Sequence, residues 1–307
     1  MSNVRLKGLS MPVLSVVACE MLEDELVYVL SKDPEIKRLF VVENRNSFRF
    51  VKKLRSENLK PFTFSSDRLY PIISEINRES LRKPLQEPSD NFLSKLSNIP
   101  FCKKIYDFIL NKEKKQGLTV VVNLLRKDLH SDIDLLQSEV YLNAREMSKI
   151  SNGILLFYGK CGFSSEKMKA ELQQLGCPIY FLRDDGRNIV DDCISVALGG
   201  NEIYTKTMLS GNGKGAIYAT PMVLSDLNET NYRSSESYKK ISKYLTSPMY
   251  SLLFKINNQV YKDANFHRNA SEFAKIFNMK IINVNGTMKV AINSYMEAKV
   301  DIYKNTE

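Results

Sequence analysis

Seven side chains, five cysteines and two histidines, are the natural candidates for soft-metal or nucleophilic chemistry in this chain. Four of them follow short apolar runs. Cys19 follows Val13–Ala18, and His130 lies in Lys127-Asp128-Leu129-His130-Ser131, just after Leu118–Leu125. Cys161 lies in Tyr158-Gly159-Lys160-Cys161-Gly162, after Ile154–Tyr158. Cys193 lies in Val190-Asp191-Asp192-Cys193-Ile194, after Ile179–Leu182. Cys102, Cys177 and His267 fall in a predicted helix, a strand start and a polar loop. Three thiolates and one imidazole match the donor count and softness of a tetrahedral zinc site or an iron–sulfur cluster. Cys193 at a helix N-terminus is expected to have a lowered thiol pKa. Asp128, Asp191 and Asp192 could fix the imidazole tautomer, and Glu20 could add an oxygen ligand or a base.

None of these residues forms a Cys-x-x-Cys or His-x-x-x-His pair, so spacing alone leaves other readings open. Free cysteines often serve as small buried apolar groups, and Asp191-Asp192 also reads as a helix cap. One rival is a metal-free enzyme in which Cys193 is the nucleophile, His130 the base and Asp128 or Asp192 its orienter. Another is a binding or regulatory module whose basic ends dock an acidic protein or RNA. Whether the chain is catalytic stays open.

Positioning four such groups on one edge needs a parallel sheet, because ligands bind where loops leave the carboxyl ends of its strands. The sequence supports one. Strands are expected at Val13–Ala18, Leu39–Val42, Pro61–Phe64, Leu118–Leu125, Ile154–Tyr158, Ile179–Leu182 and Ala216–Ala219. Helices are expected between them at Leu22–Leu30, Phe48–Leu54, Leu69–Ile76, Phe92–Leu110, Ile133–Ile150, Ser164–Leu175 (Ser164 as N-cap, Gly176 as C-cap) and Cys193–Leu198, with a loop at Pro84–Pro88. This alternation predicts an α/β, Rossmann-like fold with a mostly parallel sheet flanked by helices. Residues 1–230 are read as that α/β domain with the Cys/His centre, and 231–307 as a mainly helical C-terminal extension. In the extension, helices are expected at Ser237–Leu245, Ser271–Phe277 and Val290–Met296, a short strand at Lys280–Val284, and a tight turn at Asn285-Gly286. Its apolar side chains make it a candidate oligomerisation element.

Composition narrows the class. The chain has 307 residues, a net charge of +9, 43% hydrophobic and 26% charged residues, which excludes disorder and a disulfide-dense miniature scaffold. The net charge divides as +6 over residues 1–116, −3 over 117–231 and +6 over 232–307. The positive excess therefore lies outside the stretch holding His130, Cys161 and Cys193, and a nucleic-acid partner is not expected. No run approaches the ~18 apolar residues of a membrane span. Val17-Ala18-Cys19 loosely resembles a lipoprotein cleavage site, but Ser10, Pro12 and Ser15 interrupt the preceding segment, and a buried strand entering a helix is the better reading. Few, well-spread cysteines point to a reducing compartment, so a cytoplasmic protein is expected. Gly211-Asn212-Gly213-Lys214-Gly215 lacks the order of a phosphate-binding loop and reads as a turn; no dinucleotide fingerprint or nucleophile elbow is present.

The same residues resemble those of an uncharacterised domain-of-unknown-function family of methanogenic archaea and anaerobic bacteria. The matching pieces are Ala18-Cys19-Glu20 with Glu25, Leu129-His130, Leu156-Phe157-Tyr158-Gly159-Lys160-Cys161-Gly162, Asp192-Cys193-Ile194, Leu198-Gly199-Gly200 with Tyr204, and Tyr218-Ala219-Thr220-Pro221, across residues 13–230. The chain departs from the family pattern at Asp191, where His is common, and at Phe163-Ser164, where Gly-Asn is common. The resemblance implies that Cys19, His130, Cys161 and Cys193 form one centre. It also implies a setting beside corrinoid-dependent methyl transfer, with a corrinoid protein as partner and one-carbon metabolism as context.

Overall fold

The computed structural model describes residues 11–45, 47–71, 73, 117–162, 166–225, 249–261 and 264–305. The expected elements at Pro84–Pro88, Phe92–Leu110 and Ser237–Leu245, the Ser164 cap and Cys102 lie outside them. Nine strands are present among the described residues: β1 (Val13–Cys19), β2 (Ile36–Val42), β3 (Phe62–Phe64), β4 (Leu118–Leu125), β5 (Gly153–Phe157), β6 (Ile179–Phe181), β7 (Gly215–Ala219), β8 (Tyr250–Asn257) and β9 (Lys280–Asn285). The helices that matter here are α1 (Glu23–Ser31), α2 (Ser47–Ser56), α3 (Ile133–Ser148), α4 (Glu166–Gln173), α5 (Cys193–Leu198), α6 (Asn201–Leu209), α7 (Pro221–Leu224), α8 (Ala264–Ile276) and α9 (Lys289–Lys304).

Six strands form one all-parallel sheet in the order β3-β2-β4-β1-β5-β6. The Rossmann-like expectation holds. β1 and β4 are buried along their whole length, which is why they read as unbroken apolar runs rather than as alternating ones. Alternate residues of β1 serve opposite faces. Leu14, Val16 and Ala18 pack with α1, α2 and α9, whereas Val13, Val17 and Cys19 pack with α3 and α4.

Strand order also decides where a ligand can sit. From β1 the chain moves over β4 to β2, with α1 on one face. From β4 it moves the opposite way over β1 to β5, with α3 on the other face. Because crossovers keep one hand, reversing direction changes face and leaves a crevice above β1 and β4. Cys19 and the segment carrying His130 start from those two strand ends.

A second parallel sheet, β7-β8-β9, is covered by α8 through Phe266, Ala270 and Phe273, and by Phe277 just after the helix. The C-terminal region is helical, as expected, but it also contributes β8, a strand the sequence pattern did not reveal. Asn285-Gly286 leads from β9 into α9, which returns to the large sheet and packs on it through Val290, Ala291, Tyr295, Ala298 and Ile302. Lys299 of α9 is buried against Asp33 at 2.7 Å and Glu35 at 3.0 Å. Tyr295 Oη donates to the second Asp33 oxygen at 2.7 Å. Among the described residues no helix is long and apolar enough to cross a membrane.

Candidate metal centre

Each of the four sequence candidates stands at the carboxyl edge of the large sheet. Cys19 ends β1, and its Sγ accepts a hydrogen bond from Met21 N at 3.4 Å, capping a 3₁₀ turn over Glu20–Leu22. His130 lies in a similar turn, Lys127–Ser131, after β4. Cys161 lies in another, Lys160–Gly162, after β5. Cys193 takes a longer route: after β6 the chain doubles back through an Arg183–Ile189 bridge. Lys160 N then donates to Val190 O at 2.9 Å, bringing Asp192-Cys193 beside the end of β5. Gly159 permits that approach, since a Cβ there would lie 2.5 Å from Asp192 Cα.

Cys19 Sγ and His130 Nε2 are 3.3 Å apart, the one direct contact among the four. Cys161 and Cys193 are close enough to Cys19 for ionisation of any one thiol to oppose ionisation of the others. The His130 ring stacks on Tyr158, with centroids 6.4 Å apart and planes 19° apart. Asp192 caps α5 through Ser195 N at 2.8 Å, as the cap reading required, and receives the Tyr204 hydroxyl. Beyond it, Tyr204, Tyr218 and Phe254 form an aromatic ladder with centroid spacings of 5.3 and 5.2 Å. Glu20 accepts from Lys127 N at 2.9 Å and pairs with Arg49 at 2.6 Å, tying the β1 and β4 exits together. Glu25, buried in α1, accepts the Tyr261 hydroxyl at 2.6 Å. Among the described residues, no three His, Cys, Asp or Glu side chains are already arranged to hold an ion.

Two expectations are corrected. Cys193 does begin a helix, yet burial pushes its thiol well up, and Cys19, Asp192, Cys161 and Glu25 push it further. A six-residue helix cannot offset desolvation plus four neighbours of one sign. Asp128 does not orient His130: it is exposed and pairs with Arg126 at 3.4 Å. Asp192 is the carboxylate that acts on the imidazole, opposing the larger effect of burial, which leaves His130 below its usual range.

Burial likewise pushes Cys19 up, and Cys161 up to about 11. At pH 7.5 a thiol of that pKa is ionised to only about one part in 3,000. Metal-free protein is therefore expected to alkylate slowly with iodoacetamide, and unfolding in urea to accelerate labelling by about 100-fold or more. A single cysteine reacting at the rate of free cysteine in the folded state would overturn this and favour the nucleophile reading.

The sequence profile described as "Protein of unknown function (DUF1638)" matches residues 124–295. The chain belongs to that family. No curated protein and no solved structure matches it. The DUF1638 match takes in His130, Cys161 and Cys193 together with Tyr158, Asp192, Tyr204, Tyr218 and Tyr261, whereas Cys19, Glu20 and Glu25 precede it. Tyr261 is the site neighbour that sequence reasoning missed. It stands 236 positions from Glu25, and no local pattern joins the two.

Proposed function

We propose that this protein holds a metal ion through Cys19, His130, Cys161 and Cys193, with zinc the first candidate and an iron–sulfur cluster the second. The observation that carries the proposal is electrostatic. Burial acts most strongly on the three thiols, and the charges beside them, those of Cys19, Cys161, Glu20, Glu25 and Asp192, are all of one sign, opposed only by backbone N–H groups such as that of Met21. A cation is the charge that such a cluster lacks, and thiolate is the form in which sulfur binds it. Binding would require the half-buried Cys161 and Cys193 side chains to turn toward the Cys19–His130 pair.

A zinc ion held there would supply Lewis acidity able to keep a substrate thiol as its thiolate at neutral pH. The chain's own groups have separate tasks. His130, held neutral by burial, keeps a ring nitrogen free to donate an electron pair. Asp192, oriented by its cap and by Tyr204, faces that imidazole. Glu25 can take up a proton released nearby. Within this reading a corrinoid methyl-transfer protein is the partner class to examine first, and handling or maintaining its cofactor is as compatible as methyl transfer itself.

Elemental analysis of anaerobically purified protein tests the proposal: about one ion per chain is expected, falling sharply in Cys161→Ser. Content below ~0.2 per chain, unchanged by that substitution, would sink it.

A further inference from the structure

We infer that Tyr158 is a positioning residue of this centre, its hydroxyl held ready to donate to Cys19 Sγ when that sulfur binds a cation; the inference rests on the metal-binding reading above. Tyr158 is fully buried, and its Oη has no hydrogen-bond partner among the described residues. It packs in one cluster with Cys19, and its hydroxyl faces that thiol in a contact that falls short of a full hydrogen bond. A buried O–H without a partner is costly and calls for an explanation such as a partner acquired in another state.

The ring cannot swing away to find a different acceptor. His130 stacks on one side. On another, Gly162 lies so near that a Cβ there would stand 2.9 Å from Tyr158 Cδ1. The hydroxyl is therefore fixed beside the sulfur by packing.

Cation binding would change what Cys19 needs. Its Sγ now shares a hydrogen bond with His130 Nε2, and a cation bound to both atoms would end that contact. The sulfur would then be a thiolate, a far better acceptor than a thiol, keeping only Met21 N as its present donor. Tyr158 Oη is the adjacent unused donor. The proton given up is that of the Cys19 thiol, released to solvent as the cation binds, and the tyrosine keeps its own.

Cobalt(II) is the probe, titrated anaerobically into the metal-free full-length chain, with sulfur-to-cobalt charge-transfer absorption and competition against a chromophoric chelator as readouts. Tyr158→Phe preserves the ring and its stack and removes only the O–H. It is expected to weaken cobalt binding about tenfold, in line with the loss of other hydrogen bonds to metal ligands. The charge-transfer band should move to longer wavelength, because the sulfur electron pair is no longer stabilised by a donor. The metal-free variant should be at least as stable as wild type, since the hydroxyl is unpartnered in that state. Identical affinity and spectrum in the two proteins would overturn the inference, as would a variant destabilised without metal. Failure of wild type to take up cobalt at all would instead remove the metal-binding reading, and this inference with it.

Discussion

Lys299→Met is expected to lower stability by about 3–5 kcal/mol, the usual cost of stranding one member of a buried ion pair. Lys299 reaches from α9 to Asp33 at 2.7 Å and Glu35 at 3.0 Å, where α1 turns into β2. The Asp33 side chain is only 3% exposed, so removing the ammonium leaves its charge dependent on the Tyr295 hydroxyl and the Glu35 backbone N–H. Methionine fills much of the lysine stem's volume, so the loss reports the charge rather than a cavity. Thermal unfolding should show a fall of about 5–15 °C. Pairing the change with Asp33→Asn should recover a large part of it, because the stranded charge is gone. A Lys299→Met protein within ~0.5 kcal/mol of wild type would mean that water reaches Asp33 freely.

The second large effect lies at Glu25. Burial, with Asp24 adding to it, pushes this carboxyl up to about 7, and the Tyr261 hydroxyl only partly opposes them. In the unfolded chain the same group ionises near 4.5. Its favourable contribution is thus complete below that value and is lost as pH rises through 7. The separation corresponds to roughly 3 kcal/mol on the scale of 1.36 kcal/mol per pKa unit. Glutamine accepts the same Tyr261 hydrogen bond and never ionises. Metal-free Glu25→Gln should therefore be about 2–3 kcal/mol more stable than wild type at pH 8 and differ little from it at pH 4.5, as read from urea titrations at both pH values. His130, shifted downward, titrates in the same window with the opposite sign, but it does so in both proteins and cancels in the comparison. Equal stabilities at pH 8 would show that Glu25 is not buried as a charge. Zinc should narrow the gap, since a nearby cation favours the carboxylate.

The contrast between these two residues shows what could be read from the sequence. Strands such as Leu118–Leu125 announce themselves because burial on both faces leaves an uninterrupted apolar run. Strand exits then follow, and with them the positions of Cys19, His130 and Cys161. β8 escaped because Lys255 breaks its apolar run, although the residue is buried, its ammonium 3.4 Å from Asn283 Oδ1 and over the Phe266 ring. α6 escaped for the opposite reason: it buries no residue, so no apolar face marks it. The direction of the Cys193 shift was illegible because helix position is local, whereas burial beside Cys19 depends on chain far away. His130 drew the wrong carboxylate from sequence, since Asp128 is nearer along the chain and Asp192 is the one that acts on it.

The place of β1 in the sheet order bears on how the protein comes into being. β1 is made first among the described strands, yet both its neighbours, β4 and β5, come much later. Cys19 and Gly153 stand 134 positions apart. At ~5–20 residues per second, a ribosome takes roughly 7–30 s to supply both partners. During that interval an apolar strand with two unsatisfied edges, ending in a thiol, waits without its sheet. The nascent chain is thus exposed to strand-edge misassembly and to premature oxidation or metal capture at Cys19, and a holding chaperone or a reducing environment would protect it through that interval.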